Sequence, residues 1–449
     1  MTILGLVLLL LAGGAAAQVP DPGDPPPAAG APASPPPLGG GEEELTIEIT
    51  QGVEGALPMA VVPFAAAAPI GEDIAAIVAA DLARSGRLEV LDRGSYFDRP
   101  ATMAEIPFDR FRATGVDYIV VGRTALRGEQ IEVTFELVDA LQERSVLSER
   151  YGASTANLRR VAHRISDRIY QQLLGEPGAF NTRIAYVSAI RDADQGLYTL
   201  SVADVDGANP FVVLRSREPI MSPAWSPDGQ RLAYVSFEKR RPEVVIQDLY
   251  TGNRQTVTSF PGINGAPAWS PDGKRLALTL SKDGDPEIYV YHLTTQALTR
   301  ITNNAAIDTE AAWTPDGQHL IFTSDRGGTP QLYRVAATGG APERLTFTGN
   351  YNAAPSVDPR GGRVALVHRQ RGRFIIAILD LASGELQPLT DGLLDESPSF
   401  APNGRMIIYA TSRGGRGVLV AVSADGRTRQ DLVLRNHDLR EPAWSGRGR

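Results

Sequence analysis

The chain has 449 residues, a formal net charge of −8 and no cysteine. Lack of cysteine excludes disulfides, thiolate metal centres and thiol nucleophiles together. The acidic balance argues against nucleic acid, which calls for a basic face.

The first segment, 1–17, carries the apolar run ILGLVLLLLAGG and ends in Ala15-Ala16-Ala17 before Gln18. That run is short for a membrane span and stops at an A-x-A site, so it reads as a secretory signal. No Lys or Arg precedes it, which an earlier start or an atypical signal would explain. No cysteine follows, so there is no lipoprotein attachment site. An exported chain without disulfides points to the bacterial periplasm. Residues 18–43 are Pro, Gly and Ala with a few acids, the composition of a disordered linker leaning to polyproline II.

Residues 44–177 read as an α/β domain of two helices on a mixed sheet. LTIEIT (45–50) and PMAVVPF (58–64) are predicted strands. A helix over 71–86 places Ile74, Ile77, Val78 and Leu82 on one face and ends at Gly86. Strands come next at 88–92, 117–126 and 131–139, then VLSERYGA (146–153). A second helix over 155–175 aligns Leu158, Val161, Ala162, Ile165, Ile169 and Leu173. Roughly 130 residues suffice for an independent core. Gly175-Glu-Pro-Gly marks the joint with the C-terminal part of the chain.

From 178 to 449 the chain is governed by one octapeptide, which recurs at spacings of 44, 44, 44, 43 and 44 residues. It runs SPAWSPDG (222–229), APAWSPDG (266–273), EAAWTPDG (310–317), APSVDPRG (354–361), SPSFAPNG (397–404) and EPAWSGRG (441–448). Trp225, Trp269, Trp313 and Trp444 share one column, with Val357 and Phe400 in the other two places. Pro-Asp-Gly turns the chain, β-rich runs such as RLAYVSF and EVVIQDL come after it, and a short fourth strand such as ALTRIT (297–302) ends the unit. Four strands on a period in the low forties are one blade of a β-propeller. The tryptophans are expected to wedge between blades rather than to form a ligand cage. Three strands over 183–215 lack a first strand, and EPAWS (441–445) is a strand without a blade. The two fragments complete each other, which predicts six blades closed by the C-terminal strand.

The sequence carries no catalytic motif: no G-x-S-x-G elbow, no H-E-x-x-H and no Walker loop. His163, His292, His319, His368 and His437 are scattered without partners at metal spacing, and packing or solvated roles are expected for them. Asp204-Val-Asp-Gly and Asp283-Gly-Asp lack the full calcium-loop pattern and read as hairpin turns. The expectation is no enzyme, no metal and no cofactor. Binding is expected instead at the propeller mouth, where the segments 217–222, 262–266, 307–310, 350–354, 394–397 and 438–441 converge. They mix Asp, Glu, Asn and Thr with Met221 and Ile263, a rim that suits a polypeptide better than a small apolar ligand.

QGVEGALPMAVVPF (51–64), FNTRIAYVS (180–188), FVVLRSREPIMSPAWSPDG (211–229) and NGAPAWSPDGKRLA (264–277) resemble the TolB family of the Tol–Pal cell-envelope system. The resemblance spans about 44–446 and implies a non-enzymatic periplasmic scaffold serving outer-membrane integrity and envelope constriction in division. It implies a propeller mouth that receives the peptidoglycan-associated lipoprotein Pal through Met221, Ile263, Asn264, Thr309, Glu310, Asn352, Asp395 and Glu396. Ile263 departs from the family's usual polar or aromatic residue. The TolA-binding strand would be Glu44, Leu45, Thr46, Ile47, Glu48, Ile49 and Thr50, engaging TolA of the TolQ–TolR–TolA complex by strand addition. In the family that strand opens the mature chain, whereas here a Pro-rich stretch precedes it. A monomer is expected. The alternative reading is a propeller hydrolase or a peptidase-associated propeller, which turnover of peptide or ester substrates would reveal.

Overall fold

The computed structural model describes residues 46–51, 55–66, 71–96, 98–128, 130–191, 196–433 and 437–447. The expected signal (1–17) and linker (18–43), with Glu44 and Leu45, lie outside the described residues.

The N-terminal domain is a mixed sheet ordered Leu88–Val90, Leu57–Val61, Tyr118–Arg127, Gln130–Asp139 and Arg144–Ala153. Pairing is parallel among the first three strands and antiparallel in the two remaining steps. The helices Ile74–Arg84 and Leu158–Leu174 cover one face, burying Ile74, Val78, Leu82, Leu158, Val161, Ile165 and Ile169 against Val120, Val133 and Phe135. Asp73 caps the first helix by accepting from the Ala76 amide at 2.9 Å, which satisfies one of the orphan donors of a helix start. A shorter helix, Phe108–Arg112, has no counterpart among the predicted elements, because five residues carry too little periodicity to read. Its Phe111 helps close the opposite face of the sheet over Ala60, Ile119 and Val121.

The rest of the chain forms six four-stranded antiparallel sheets around an axis. Blade 1 consists of Arg183–Arg191, Gly196–Asp204 and Phe211–Ser216, with the C-terminal strand Asp438–Trp444 paired to Arg183–Arg191 as its innermost member. This is the closure the octapeptide arithmetic predicts. Blades 2 to 6 begin with the inner strands Ile220–Trp225, Asn264–Trp269, Asp308–Trp313, Asn352–Val357 and Glu396–Phe400.

The tryptophan column holds neighbouring blades together, as expected, and adds two contacts that spacing could not reveal. Trp225, Trp269 and Trp313 donate their indole N–H to the carbonyls of Ala443, Ala224 and Ala268 on the preceding blade, at 3.0, 3.1 and 3.0 Å. The preceding blade also lays an arginine over each ring: Arg183, Arg231 and Arg275 sit 5.1, 4.6 and 4.5 Å from the ring centroids. Each such stack contributes about 0.5–2 kcal/mol, on top of the burial of a large ring.

One expected element sits elsewhere. The strand Thr46–Gln51 does not join the N-terminal sheet; it pairs antiparallel with Arg429–Val433 and becomes a fifth, outermost strand of blade 6. An alternating strand fits any open sheet edge, so its pattern alone does not select one.

The N-terminal domain docks on the end of the propeller where the inner strands finish. Arg405, in the turn after the blade 6 inner strand, donates to Glu176 at 2.7 Å, and Asn403 donates to the Pro177 carbonyl at 3.3 Å. Gln430 reaches the carbonyl of Arg84. Gly86 ends the first helix at φ 65° and lies so close to Thr428 that a Cβ there would collide with its hydroxyl. Both the left-handed backbone and the close approach demand glycine. The other end of the channel is left uncovered among the described residues.

Candidate functional site: the uncovered mouth

Every inner strand carries the same local irregularity near this mouth. The register shifts between Met221 and Ala224, Gly265 and Ala268, Thr309 and Ala312, Ala353 and Ser356, Glu396 and Ser399, and Arg440 and Ala443. At each bulge the first residue of the octapeptide adopts a left-handed backbone: Ser222 (φ 51°), Ala266 (46°), Glu310 (56°), Ala354 (53°), Ser397 (54°) and Glu441 (52°). None of the six is glycine, so each bulge stores strain on the order of 1–2 kcal/mol. The bulge re-aims these residues, and all six line a channel of about 550 Å³.

The channel is acidic. Burial pushes the Glu310 and Glu441 carboxyls up to about 7, and the Glu396 carboxylate raises both further. Glu310 is held in place by the Thr323 hydroxyl at 3.2 Å and the Ala354 amide at 3.1 Å.

The side chains that the sequence points to fall into two registers with different environments. Two residues before each bulge stand Asn264, Asp308, Asn352 and Asp395 in blades 3 to 6, all buried. Asn264 spans its own loop, accepting from the Phe260 amide at 3.0 Å and donating to the Phe260 carbonyl at 2.6 Å. Asn352 donates to Gln331 and to the Thr348 carbonyl, each at 2.9 Å, with His368 on its other side. Asp395 accepts from the Thr390 and Thr411 hydroxyls, and burial raises its carboxyl above the usual range. Thr309 is buried too, its hydroxyl 3.3 Å from that of Thr279. Asn264, Thr309, Asn352 and Asp395 thus shape the loops from beneath. An extended loop on a β-ring exposes its backbone, and Asn264 and Asn352 satisfy it from inside, while Thr309 and Asp395 bind neighbouring hydroxyls.

Met221 and Ile263 are placed differently. With Phe237, Phe260 and Ile307 they line an apolar cleft of about 790 Å³ between blades 2, 3 and 4. Glu396 is buried on the same ring, with Arg440 at 3.9 Å. Further large apolar residues are exposed outside the cleft, Leu394 within the expected segment 394–397 and Phe347 and Leu393 beside the expected ones. Phe347 (75% exposed), Leu393 (71%) and Leu394 occupy the loops entering blades 5 and 6. Their signal in the sequence is that of apolar residues inside the turn-forming runs TFTGN and DGLLD.

Thr46, Ile47, Glu48, Ile49 and Thr50 lie in the fifth strand of blade 6, Thr46 opposite Val433 and Ile49 opposite Gln430. The segment is thus already engaged in strand pairing.

For metal, one group among the described residues gathers ligand-type atoms within 4.8 Å: Asp81, His163 and Asp206. It lies between the domains, far from the mouth in the fold. Arg84 and Arg159 are already paired with its two carboxylates, so guanidinium groups supply the charge that a cation would bring.

Comparison with known proteins agrees with this architecture. Residues 45–146 match the TolB amino-terminal domain, and residues 170–447 match the TolB beta propeller domain. The Tol-Pal system protein TolB of Nitrosococcus oceani is 59% identical over 404 residues, covering 89% of this chain and 93% of its own. That of Thioalkalivibrio sulfidiphilus is 58% identical over 406 residues, with the same coverage. The crystal structure of TolB from Acinetobacter baumannii superposes with a TM-score of 0.84 at 44% identity, over 90% of this chain and all of that one. With both of its domains matched in order and over most of their length, the chain belongs to the TolB family.

Proposed function

We propose that this protein is the periplasmic scaffold of a Tol–Pal system, binding the lipoprotein Pal at the uncovered mouth and TolA through its N-terminal strand. In this role it serves outer-membrane integrity and envelope constriction during division. It acts by binding, without catalysis or cofactor, and as a monomer.

The observation that carries the reading is the apolar cleft of Met221, Phe237, Phe260, Ile263 and Ile307, which opens on the end the N-terminal domain leaves uncovered. Met221 and Ile263 would be anchors, with Phe347, Leu393 and Leu394 extending the contact. Buried aromatic and aliphatic anchors provide most of the energy at such interfaces, and polar rims orient the partner. Glu310 and Glu396 would offer carboxyl groups to the partner's donors at the channel entrance. Asn264, Thr309, Asn352 and Asp395 would act indirectly, by holding the loops in their binding shape.

Calorimetric titration with the soluble domain of Pal from the same organism tests this. Tight binding by the parent, lost in Ile263→Asp at an unchanged melting temperature, is the expected result; a parent that does not bind removes the reading. For TolA, the strand Thr46–Gln51 is paired to blade 6 along one edge, so TolA would either add to its outer edge or compete with that pairing. Equal TolA affinity with and without Pal would show that no such competition is coupled to the mouth.

A further inference from the structure

His163 lies on the long helix of the N-terminal domain, yet its ring is the centre of a buried ion cluster that crosses the domain boundary. On one side Nδ1 is 2.7 Å from Asp81 of the first helix. On the other side Nε2 faces Asp206, in the blade 1 turn, at 3.6 Å. The ring is 2% exposed, and Nε2 has no hydrogen-bond partner. It borders a cavity of about 210 Å³ shared by both domains, which Arg183 and Asp228 of the propeller also line.

We infer that His163 is a proton-controlled clasp between the two domains: the charged ring ties Asp81 of one to Asp206 of the other, and the neutral ring keeps only the first tie. A neutral imidazole donates from one nitrogen alone. With that proton on Nδ1 for Asp81, Nε2 becomes an acceptor pointed at a carboxylate, which is repulsive. Protonation makes both nitrogens donors and turns the repulsion into an ion pair across the boundary.

The charged groups around the ring decide the direction. Asp81 and Arg84 face it from the first helix, Arg159 and Asp167 from its own helix, and Asp204 and Asp206 from blade 1. Arg159 also reaches Glu72 at 3.8 Å. Burial disfavours the imidazolium, but Asp81 and Asp206 outweigh burial and Arg84, so the ring holds its proton above the ordinary histidine value. A basic group raised on folding stabilises most below its unfolded value and loses that contribution as pH climbs through the folded one. The clasp is therefore closed in mildly acidic surroundings and loosens toward alkaline pH. Asp167 also titrates nearby, its carboxyl raised to about 6 by burial.

The test uses the full chain and two readouts. Ring-proton resonances would give the titration midpoint of His163, assigned by comparison with His163→Gln. The midpoint is expected above that of a free histidine and is expected to fall in Asp206→Asn; a midpoint at or below the free value overturns the clasp. Amide exchange over 158–165 and 204–209, corrected for intrinsic rates, is expected to quicken several-fold as pH rises through the His163 midpoint read from the ring resonances. His163→Gln and Asp206→Asn should each abolish that quickening, although only Asp206→Asn also loses the pH-independent pairing with Arg159. A parent without the pH effect, or variants that retain it, would sink the idea.

Discussion

The two ends of the propeller channel are built from the same six strands and could hardly differ more. At one end the repeat recurs most closely in blades 2 to 4: a Pro-Asp-Gly turn, a tryptophan ring under an arginine, and an indole bonded to the preceding blade. At the other, the residue just before each bulge differs from blade to blade, being Met221, Gly265, Thr309, Ala353, Glu396 and Arg440, and only the buried Asn or Asp one position earlier in blades 3 to 6 recurs. Repetition marks the end that assembles the ring, and its loss marks the end where the proposed partner would dock. A closed ring needs the same inter-blade joint six times, whereas one partner needs six different contacts once.

The contrast can be broken most forcefully at closure. Removing 438–449 strips blade 1 of its inner strand and exposes the partner edge. Stability should fall by more than about 5 kcal/mol, seen as a collapse of the melting temperature. A truncated protein that melts like the parent would mean the ring does not depend on that strand. Next in size, Trp313→Ala should cost roughly 3–5 kcal/mol by denaturant unfolding, while Pal affinity per folded molecule stays unchanged. The reverse pattern is expected of Phe347→Ser with Leu393→Ser, which should weaken Pal binding by about tenfold or more at a constant melting temperature.

Acidity sharpens the comparison further. Glu310 and Glu441 are raised to about 7 in the folded protein. An acid raised on folding favours the fold while protonated, so stability should decline as pH rises from the ordinary carboxyl range through about 7 and then level off. Glu310→Gln should flatten that decline, and an unchanged profile would place its cause elsewhere. The smallest effect is conformational. Ser397 sits at φ 54° in the blade 6 bulge, and Ser397→Gly should stabilise the protein by about 0.5 kcal/mol, strain relief exceeding the added freedom of the unfolded chain.

What can be read from the sequence divides in the same way. The octapeptide column predicts the blades, their number and their closure, because the joint is local and repeated. The helices Ile74–Arg84 and Leu158–Leu174 are legible from their apolar stripes. The strand Thr46–Gln51 is legible as a strand but not as part of blade 6, since choosing a sheet edge is a tertiary decision. Asn264, Asn352 and Asp395 look like rim residues because they are polar and near the mouth. Only the structure shows them turned inward to hold loops. Asp81, His163 and Asp206 share no readable spacing at all, being gathered from two helices and a turn of another domain.

The C-terminal strand also has a temporal meaning. Blade 1 joins Arg183–Arg191 to Asp438–Trp444, contacts separated by nearly the whole propeller. Bringing ends so distant together adds little entropy cost per extra residue, but it makes this the longest-range pairing within the repeat itself, exceeded among the described residues only by that of Thr46–Gln51 with Arg429–Val433, and such non-local pairings are slow to form. The ring cannot seal until residues 438–444 have joined Arg183–Arg191. Any molecule cut short within the propeller keeps a bare sheet edge. The last strand thus serves as a proof of completeness, separating whole copies, which close, from fragments, which stay open to proteases and aggregation.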